Sequence, residues 1–144
     1  IYDRLVGSEM CIRDSNLSIK EIFKEHGEEK FREVESTMLM ETENLMNSVI
    51  STGGGIVIKD KNREFLKKNR VYFLNNSIEI LFERATKKRE QRPLLKDITL
   101  DEFVSIYENR MNLYQECANI TLNAENKSIN EIVEEISNHE KFSF

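Results

Sequence analysis

Short runs with strong β-preference alternate with helical patterns along this chain, and this alternation restricts the possible folds more than any other feature. The runs are Val49–Thr52, Val71–Leu74 and Ile120–Leu122. Strands that alternate with helices of ten residues or more are typical of βαβ units, which build a parallel sheet. With 144 residues the chain has room for one domain with a single core. The sequence therefore predicts one α/β domain.

Helix-start signals lie before, between and after the β-runs. Three pairs of residues have the spacing of a capping box: Ser18 with Glu21, Thr99 with Glu102, and Ser128 with Glu131. Gly27 can end the first helix, and a second is predicted from about Glu28 to Asn47. Its inward residues are expected to be Phe31, Val34, Met38, Leu45 and Met46. Asp60 and Ser77 are candidate caps of two shorter helices.

Composition excludes several functional classes. A net charge of −5 argues against general nucleic-acid binding, which favours a basic surface. The apolar runs are too short to cross a bilayer, and the first residues show no secretory pattern, so we expect a cytoplasmic protein without membrane contact. Cys11 and Cys117 lack metal-ligand spacing, and Cys117 falls on an apolar helix stripe that predicts burial. We expect a monomer with no metal site in this chain.

The three consecutive glycines Gly53, Gly54 and Gly55 follow a predicted strand. Glycine has no side chain, so a ligand can lie directly against the backbone. A flexible turn is the alternative. The ligand site of an open α/β sheet lies beyond the carboxyl ends of its strands, and this position favours a binding role for the glycines.

Two arginines stand out on helices. Arg110 lies seven residues from both Phe103 and Cys117, so it shares their inward stripe. A buried arginine is costly unless it meets an anion, although an ion pair in the core or a side chain that reaches outward would also explain it. Arg32 and Glu35 are spaced to form an ion pair, most simply an exposed one.

A basic run precedes the only proline, Pro93. The cations of this basic run are Arg84, Lys87, Lys88, Arg89 and Arg92. The run is either a solvated helix face or a mobile cationic segment, and segments of the second kind suit phosphate clamps that close on a nucleotide.

Taken in order, these motifs resemble the shikimate kinase family over about residues 17 to 137. The resemblance rests on the following segments: Ser18–Phe23, Phe31–Glu35, Val49–Gly55, Glu83–Ala85, Arg92–Leu95, and Arg110 with Tyr114 and Ala118. It implies an α/β fold in three layers, a P-loop kinase-like parallel sheet with helices on both faces, here without its first two strands. It also implies transfer of the ATP γ-phosphoryl group to the 3-hydroxyl of shikimate, with Mg²⁺, in chorismate biosynthesis.

The resemblance assigns roles by matched position. Arg32 and Arg110 would hold the shikimate carboxylate, and Gly53, Gly54 and Gly55 would offer backbone to the ring. On the nucleotide side, Arg84 would lie against the adenine and Lys127 would make a weaker contact. Arg92 would reach over the ATP phosphates from a lid at about residues 86–98 and would supply catalytic charge.

Two features depart from the family. The motif Gly-x-x-x-x-Gly-Lys-Ser/Thr, which cradles phosphates and binds Mg²⁺, does not occur in the sequence. Residues 9–15 resemble a translated transposon end used in sequencing libraries, so residues 1–15 are interpreted as foreign and residues 16–144 as a partial shikimate kinase domain. The alternative is that residues 1–15 are a divergent N-terminal segment. We expect the chain as written to fold poorly and to lack kinase activity. The alternatives are another small-molecule P-loop kinase, such as gluconate kinase, or a non-catalytic binding protein of this fold.

Overall fold

The computed structural model describes residues 4–7, 19–87 and 97–141, in which strands and helices alternate. The strands are β1 (Arg4–Gly7), β2 (Ser48–Ser51), β3 (Tyr72–Asn75) and β4 (Ile120–Asn123). The helices are α1 (Ile19–Glu41), α2 (Asp60–Leu66), α3 (Ile78–Lys87), α4 (Leu100–Cys117) and α5 (Ile129–Lys141). Two 3₁₀ segments, Thr42–Asn44 and Gly54–Ile58, flank β2. None of the helices in these described ranges is long and apolar enough to cross a membrane.

The strands pair in parallel, as the sequence predicts. Strand β1 pairs with β2, Arg4 opposite Ser48, and β3 pairs with β4, Tyr72 opposite Ile120. Across the described ranges β2 and β3 are not hydrogen-bonded to each other. Strand β1 was not predicted, because it lies within residues 1–15, which the sequence analysis treats as foreign. The sequence predicts a sheet without its first two strands; in the structure, residues 4–7 supply a parallel neighbour to β2.

Helix boundaries follow local signals closely. Glu102 donates its backbone N–H to the Thr99 side chain at 3.3 Å, and Thr99 returns its own N–H to the Glu102 carboxylate at 2.8 Å. Ser128 and Glu131 make the same reciprocal pair. Gly27 has φ 76° and ψ 179°, a conformation that breaks α1 into two helical stretches where the sequence predicts a helix end. Ser18, the first predicted cap, lies outside the described residues.

Some boundaries differ from the prediction. Helix α1 ends at Glu41 and not near Asn47, and Thr42 starts a 3₁₀ turn. Met46, predicted to face inward, is 82% exposed, since the helical spacing that would have turned it inward has already ended. Asp60 is the first residue of α2 and does not cap it; Lys59 holds the cap position, and Asp60 instead accepts a hydrogen bond from Arg63.

The main core surrounds the 3₁₀ segment Gly54–Ile58, which contains Gly54 and Gly55 and is preceded by Gly53. Its buried residues come from α1, that segment, α2 and α4: Leu39, Ile56, Val57, Phe65, Leu66 and Cys117. The burial of Cys117 confirms the prediction from its stripe. Arg63 fastens α2 beside this core, because it donates to the Val57 carbonyl at 2.8 Å and pairs with Glu116 of α4 at 3.2 Å. Burial of Ile56 and Val57 thus anchors the turn formed by Gly53, Gly54 and Gly55, here called the glycine turn, against three helices.

Candidate functional site

Arg32 lies inside the protein, held by carboxylates of its own helix. Only 7% of the residue is exposed. Its Nη1 donates to Glu35 Oε2 at 2.8 Å, and its Nη2 donates to Glu28 Oε1 at 3.3 Å. The simplest interpretation of the Arg32–Glu35 spacing, an exposed helix pair, is wrong: both side chains are buried. A buried pair of this kind holds the guanidinium in one orientation, at the cost of removing both charges from water.

The glycine turn lies directly on this guanidinium. A Cβ added to Gly55 would be 2.2 Å from Arg32 Nη1, so no larger residue fits unless Arg32 moves. At Gly53 an added Cβ would be 3.6 Å from Glu35 Oε1, which is an ordinary contact. The structure therefore brings together Arg32, Glu35 and the backbone of the turn, and it identifies Gly55 as the position where an added side chain would displace the Arg32 guanidinium.

Arg32 retains hydrogen-bonding capacity. Among the described residues, its buried Nε has no hydrogen-bond partner. Buried polar groups are nearly always satisfied, so an orphaned donor next to an open glycine backbone is compatible with an anionic ligand. The ring of Phe31 lies 5.2 Å from Arg32 Cζ and covers another side of the cation.

Helix α4 reaches the same turn through a tyrosine. Tyr114 Oη donates to the Gly54 carbonyl at 2.9 Å. The Tyr114 ring stacks on Phe73 of β3, with centroids 4.9 Å apart. Tyr114 belongs to the segment that resembles the family, but the sequence predicts no role for it. Its only sequence signal is its position four residues after Arg110, which places both on one helix face.

Arg110 lies on α4 one turn before Tyr114 and is half-buried. The apolar stripe of α4 that was predicted to face inward is fully buried only at Cys117. Phe103, Tyr107 and Leu113, on the same side of the helix, are half-buried like Arg110. No ion pair joins Arg110 to another described side chain. The structure thus places Arg110 on the helix that contacts the turn through Tyr114.

The predicted nucleotide residues are not brought together by any described contact. Arg84 is exposed near the end of α3. Lys127 precedes α5 and forms an ion pair with Glu135 at 2.5 Å. Arg92 and most of the predicted lid lie outside the described residues. In the described ranges there is also no group of three or more histidine, cysteine or acidic side chains placed to hold a metal ion.

The pKa of Tyr107, on the same helix as Tyr114, is perturbed. Tyr107 donates to Asn75 Oδ1 at 2.5 Å, at the end of β3. Burial, and to a lesser extent the nearby Tyr114, raises the pKa of the Tyr107 phenol above its ordinary value. A phenol is protonated at neutral pH even at its ordinary pKa, and the upward shift extends the pH range over which Tyr107 can donate a hydrogen bond.

Comparison with known proteins places this site in a family. A family model described as shikimate kinase matches residues 9–140. The shikimate kinase of Enterococcus faecalis is 40% identical over 121 residues, 83% of this chain and 71% of that protein. The shikimate kinase of Streptococcus thermophilus is 36% identical over 134 residues, 90% of this chain and 82% of that protein.

Solved structures agree. Shikimate kinase from Acinetobacter baumannii in complex with shikimate superposes with a TM-score of 0.87 at 27% identity, over 94% of this chain and 77% of that chain. The shikimate kinase of Bacteroides thetaiotaomicron gives a TM-score of 0.78 at 30% identity, over 96% and 82%. These likenesses confirm the P-loop kinase-like α/β fold. The chain belongs to the shikimate kinase family, whose members are kinases that use ATP as co-substrate.

Proposed function

We propose that this chain binds shikimate at the glycine turn, as part of an enzyme that phosphorylates the shikimate 3-hydroxyl from ATP in the chorismate route to aromatic amino acids. One observation carries the proposal: the buried Arg32–Glu35 pair lies against Gly55, at a turn that follows a parallel strand. Family membership supports the substrate, and the Acinetobacter baumannii relative was solved with shikimate.

The charges of the site suit a small carboxylate. Glu35 neutralises much of the Arg32 charge but fixes the direction of its remaining donors, including the orphaned Nε. Arg110 supplies a second cation on α4, free of ion pairs with the described side chains. Planar guanidinium groups recognise carboxylates through paired hydrogen bonds, so two arginines from different helices can orient a carboxylate on a ring. Gly53 and Gly54 would then contact the ring through backbone alone.

In the proposed reaction, the 3-hydroxyl loses its proton to a base and its oxygen bonds to the γ-phosphorus, while the bond from that phosphorus to the β,γ-bridging oxygen breaks and ADP leaves with the bond's electron pair. Positioning and charge neutralisation dominate such transfers. Arg84 and Lys127 are proposed for the nucleotide and Arg92 for its phosphates.

Mg²⁺ is proposed as the companion of ATP, but the residues of this chain do not fit it. The motif that provides its hydroxyl ligand does not occur in the sequence, so we assign Mg²⁺ and the proton acceptor to no residue here. The inactivity expected of the chain as written also stays a prediction. The same holds for the monomeric state, which size-exclusion chromatography with light scattering would test, and for the cytoplasmic location.

A calorimetric titration of shikimate into the chain at low protein concentration tests the proposal. We expect Arg110→Ala to weaken binding about tenfold or more, because a charge-assisted hydrogen bond contributes about 1.5–3 kcal/mol. Arg84→Ala, which removes an exposed cation from the proposed nucleotide side, is the matched control and should leave the shikimate affinity unchanged.

Two results would contradict the proposal. Equal affinity of the Arg110→Ala variant and the original chain would exclude Arg110 as a shikimate ligand. Equal or tighter binding of gluconate would favour the sugar-acid kinase alternative.

A further inference from the structure

Tyr114 joins three parts of the molecule at the glycine turn. Its ring is half-buried and packs with Leu113 on the main core, and it stacks on Phe73 at an interplanar angle of 20°. Its hydroxyl leaves this apolar contact and donates to the Gly54 carbonyl, 60 residues earlier in the chain. The ring is fixed by packing, so the hydroxyl is held in one place.

The hydrogen bond controls the orientation of a peptide plane. A trans peptide places its C=O and the following N–H on opposite sides, so holding the Gly54 carbonyl also sets the direction of the Gly55 N–H. Gly55 is the residue that presses on Arg32. Three consecutive glycines have the most backbone freedom that a chain can have, so an external contact is needed to select one conformation.

Two side chains from different helices therefore contact the turn. Arg32 limits the approach of Gly55, and Tyr114 lies so near that a Cβ added to Gly54 would be 3.0 Å from its hydroxyl. Within the turn, Ile56 N–H donates to the Gly53 carbonyl at 3.2 Å.

We propose that Tyr114 is a positioning residue for shikimate, which acts by holding the Gly54–Gly55 peptide in register with Arg32 and Arg110. This inference rests on the proposed function, because it concerns binding at that same turn. Tyr114 sets the geometry between α4, which carries Arg110, and the turn that covers Arg32. In this role its hydroxyl contacts the protein backbone and not the ligand.

Tyr107 offers a matched control on the same helix. It lies seven residues before Tyr114, and the two ring centroids are 6.3 Å apart. Its hydroxyl donates to Asn75 and not to the glycine turn. Tyr107→Phe and Tyr114→Phe each remove one hydroxyl and keep the ring, so they differ only in which hydrogen bond is lost.

The experiment compares these variants with the original chain by two measurements. The first is the shikimate dissociation constant from calorimetry. The second is amide hydrogen exchange at Ile56, which reports opening of the turn without any ligand. We expect Tyr114→Phe to weaken shikimate binding about three- to tenfold and to speed Ile56 exchange by a similar factor, the effect of one lost hydrogen bond. Tyr107→Phe should change both by less than about twofold.

The outcomes separate the two proposals. If the original chain does not bind shikimate, the proposed function fails and the role of Tyr114 fails with it. If the original chain binds and Tyr114→Phe binds equally well, only the positioning role is refuted. Equal weakening by Tyr107→Phe would also overturn it, since the effect would then be a general result of losing a phenol on α4.

Discussion

Replacing Gly55 by alanine tests the close approach between the turn and Arg32. The added Cβ would lie 2.2 Å from Arg32 Nη1, 2.7 Å from Cζ and 2.8 Å from Nη2, whereas ordinary contacts begin near 3.4 Å. The guanidinium must therefore move by about 1 Å or more. Such a movement breaks the 2.8 Å bond to Glu35, inside the protein.

The expected cost follows from two opposing effects. Breaking a buried ion pair destabilises a protein by about 3–5 kcal/mol when one partner is removed, and a displaced but present arginine should cost less, about 2–3 kcal/mol. The φ of Gly55 is not in the left-handed region, so alanine can adopt it without backbone strain. Alanine also lowers the conformational entropy of the unfolded chain, which stabilises the folded state by about 0.4–1 kcal/mol. We expect a net loss of about 2 kcal/mol and shikimate binding weakened about tenfold or more.

Urea denaturation and shikimate calorimetry measure the two effects. Gly53→Ala is the matched control, because its Cβ would meet Glu35 Oε1 at an ordinary 3.6 Å. That variant should be within about 0.5 kcal/mol of the original stability. If the Gly55→Ala variant is as stable as Gly53→Ala and binds shikimate as well, Arg32 is not held where the structure places it and the reasoning fails.

Two further predictions concern stability and solubility. A hydrogen bond from Lys67 lowers the pKa of the Glu116 carboxyl from its ordinary value of 4.5. The ionised Glu116 therefore stabilises the folded chain fully at pH values above 4.5, and this stabilisation is lost as the pH falls through the lowered pKa. The difference in urea midpoint between the original chain and Glu116→Gln should shrink on acidification, and a pH-independent difference would contradict this. Among the described residues, β3 is paired only with β4. Leu74, 46% exposed on β3, should promote aggregation through the other edge of this strand, so Leu74→Lys should reduce light scattering at high concentration. Met46→Lys, which changes a more exposed apolar residue outside the strands, should not; equal improvement would point to general hydrophobic exposure.

Local structure was predictable because it depends on neighbours in the chain. The capping boxes at Thr99 and Ser128 form as their spacing predicts, since each uses groups only three residues apart. Gly27 interrupts α1 because it alone tolerates the φ found there without strain. The parallel pairing of β3 with β4 follows from strands separated by helices.

The details of the site depend on contacts that no local pattern encodes. The spacing of Arg32 and Glu35 predicts an ion pair, but not that the pair is buried or that Gly55, from a distant segment of the chain, lies against the guanidinium. The end of α1 at Glu41 was missed because helical periodicity continues past it in the sequence.

The α/β class, the capped helices and the residues that carry the family motifs could be read from the amino-acid sequence, because they depend on periodicity and residue type. Three further points became visible only in the folded chain: the burial of Arg32, the hydrogen bond from Tyr114 to Gly54 across 60 residues, and the pairing of residues 4–7 with β2. Each is a contact between distant segments, and its energy appears only when the chain has packed.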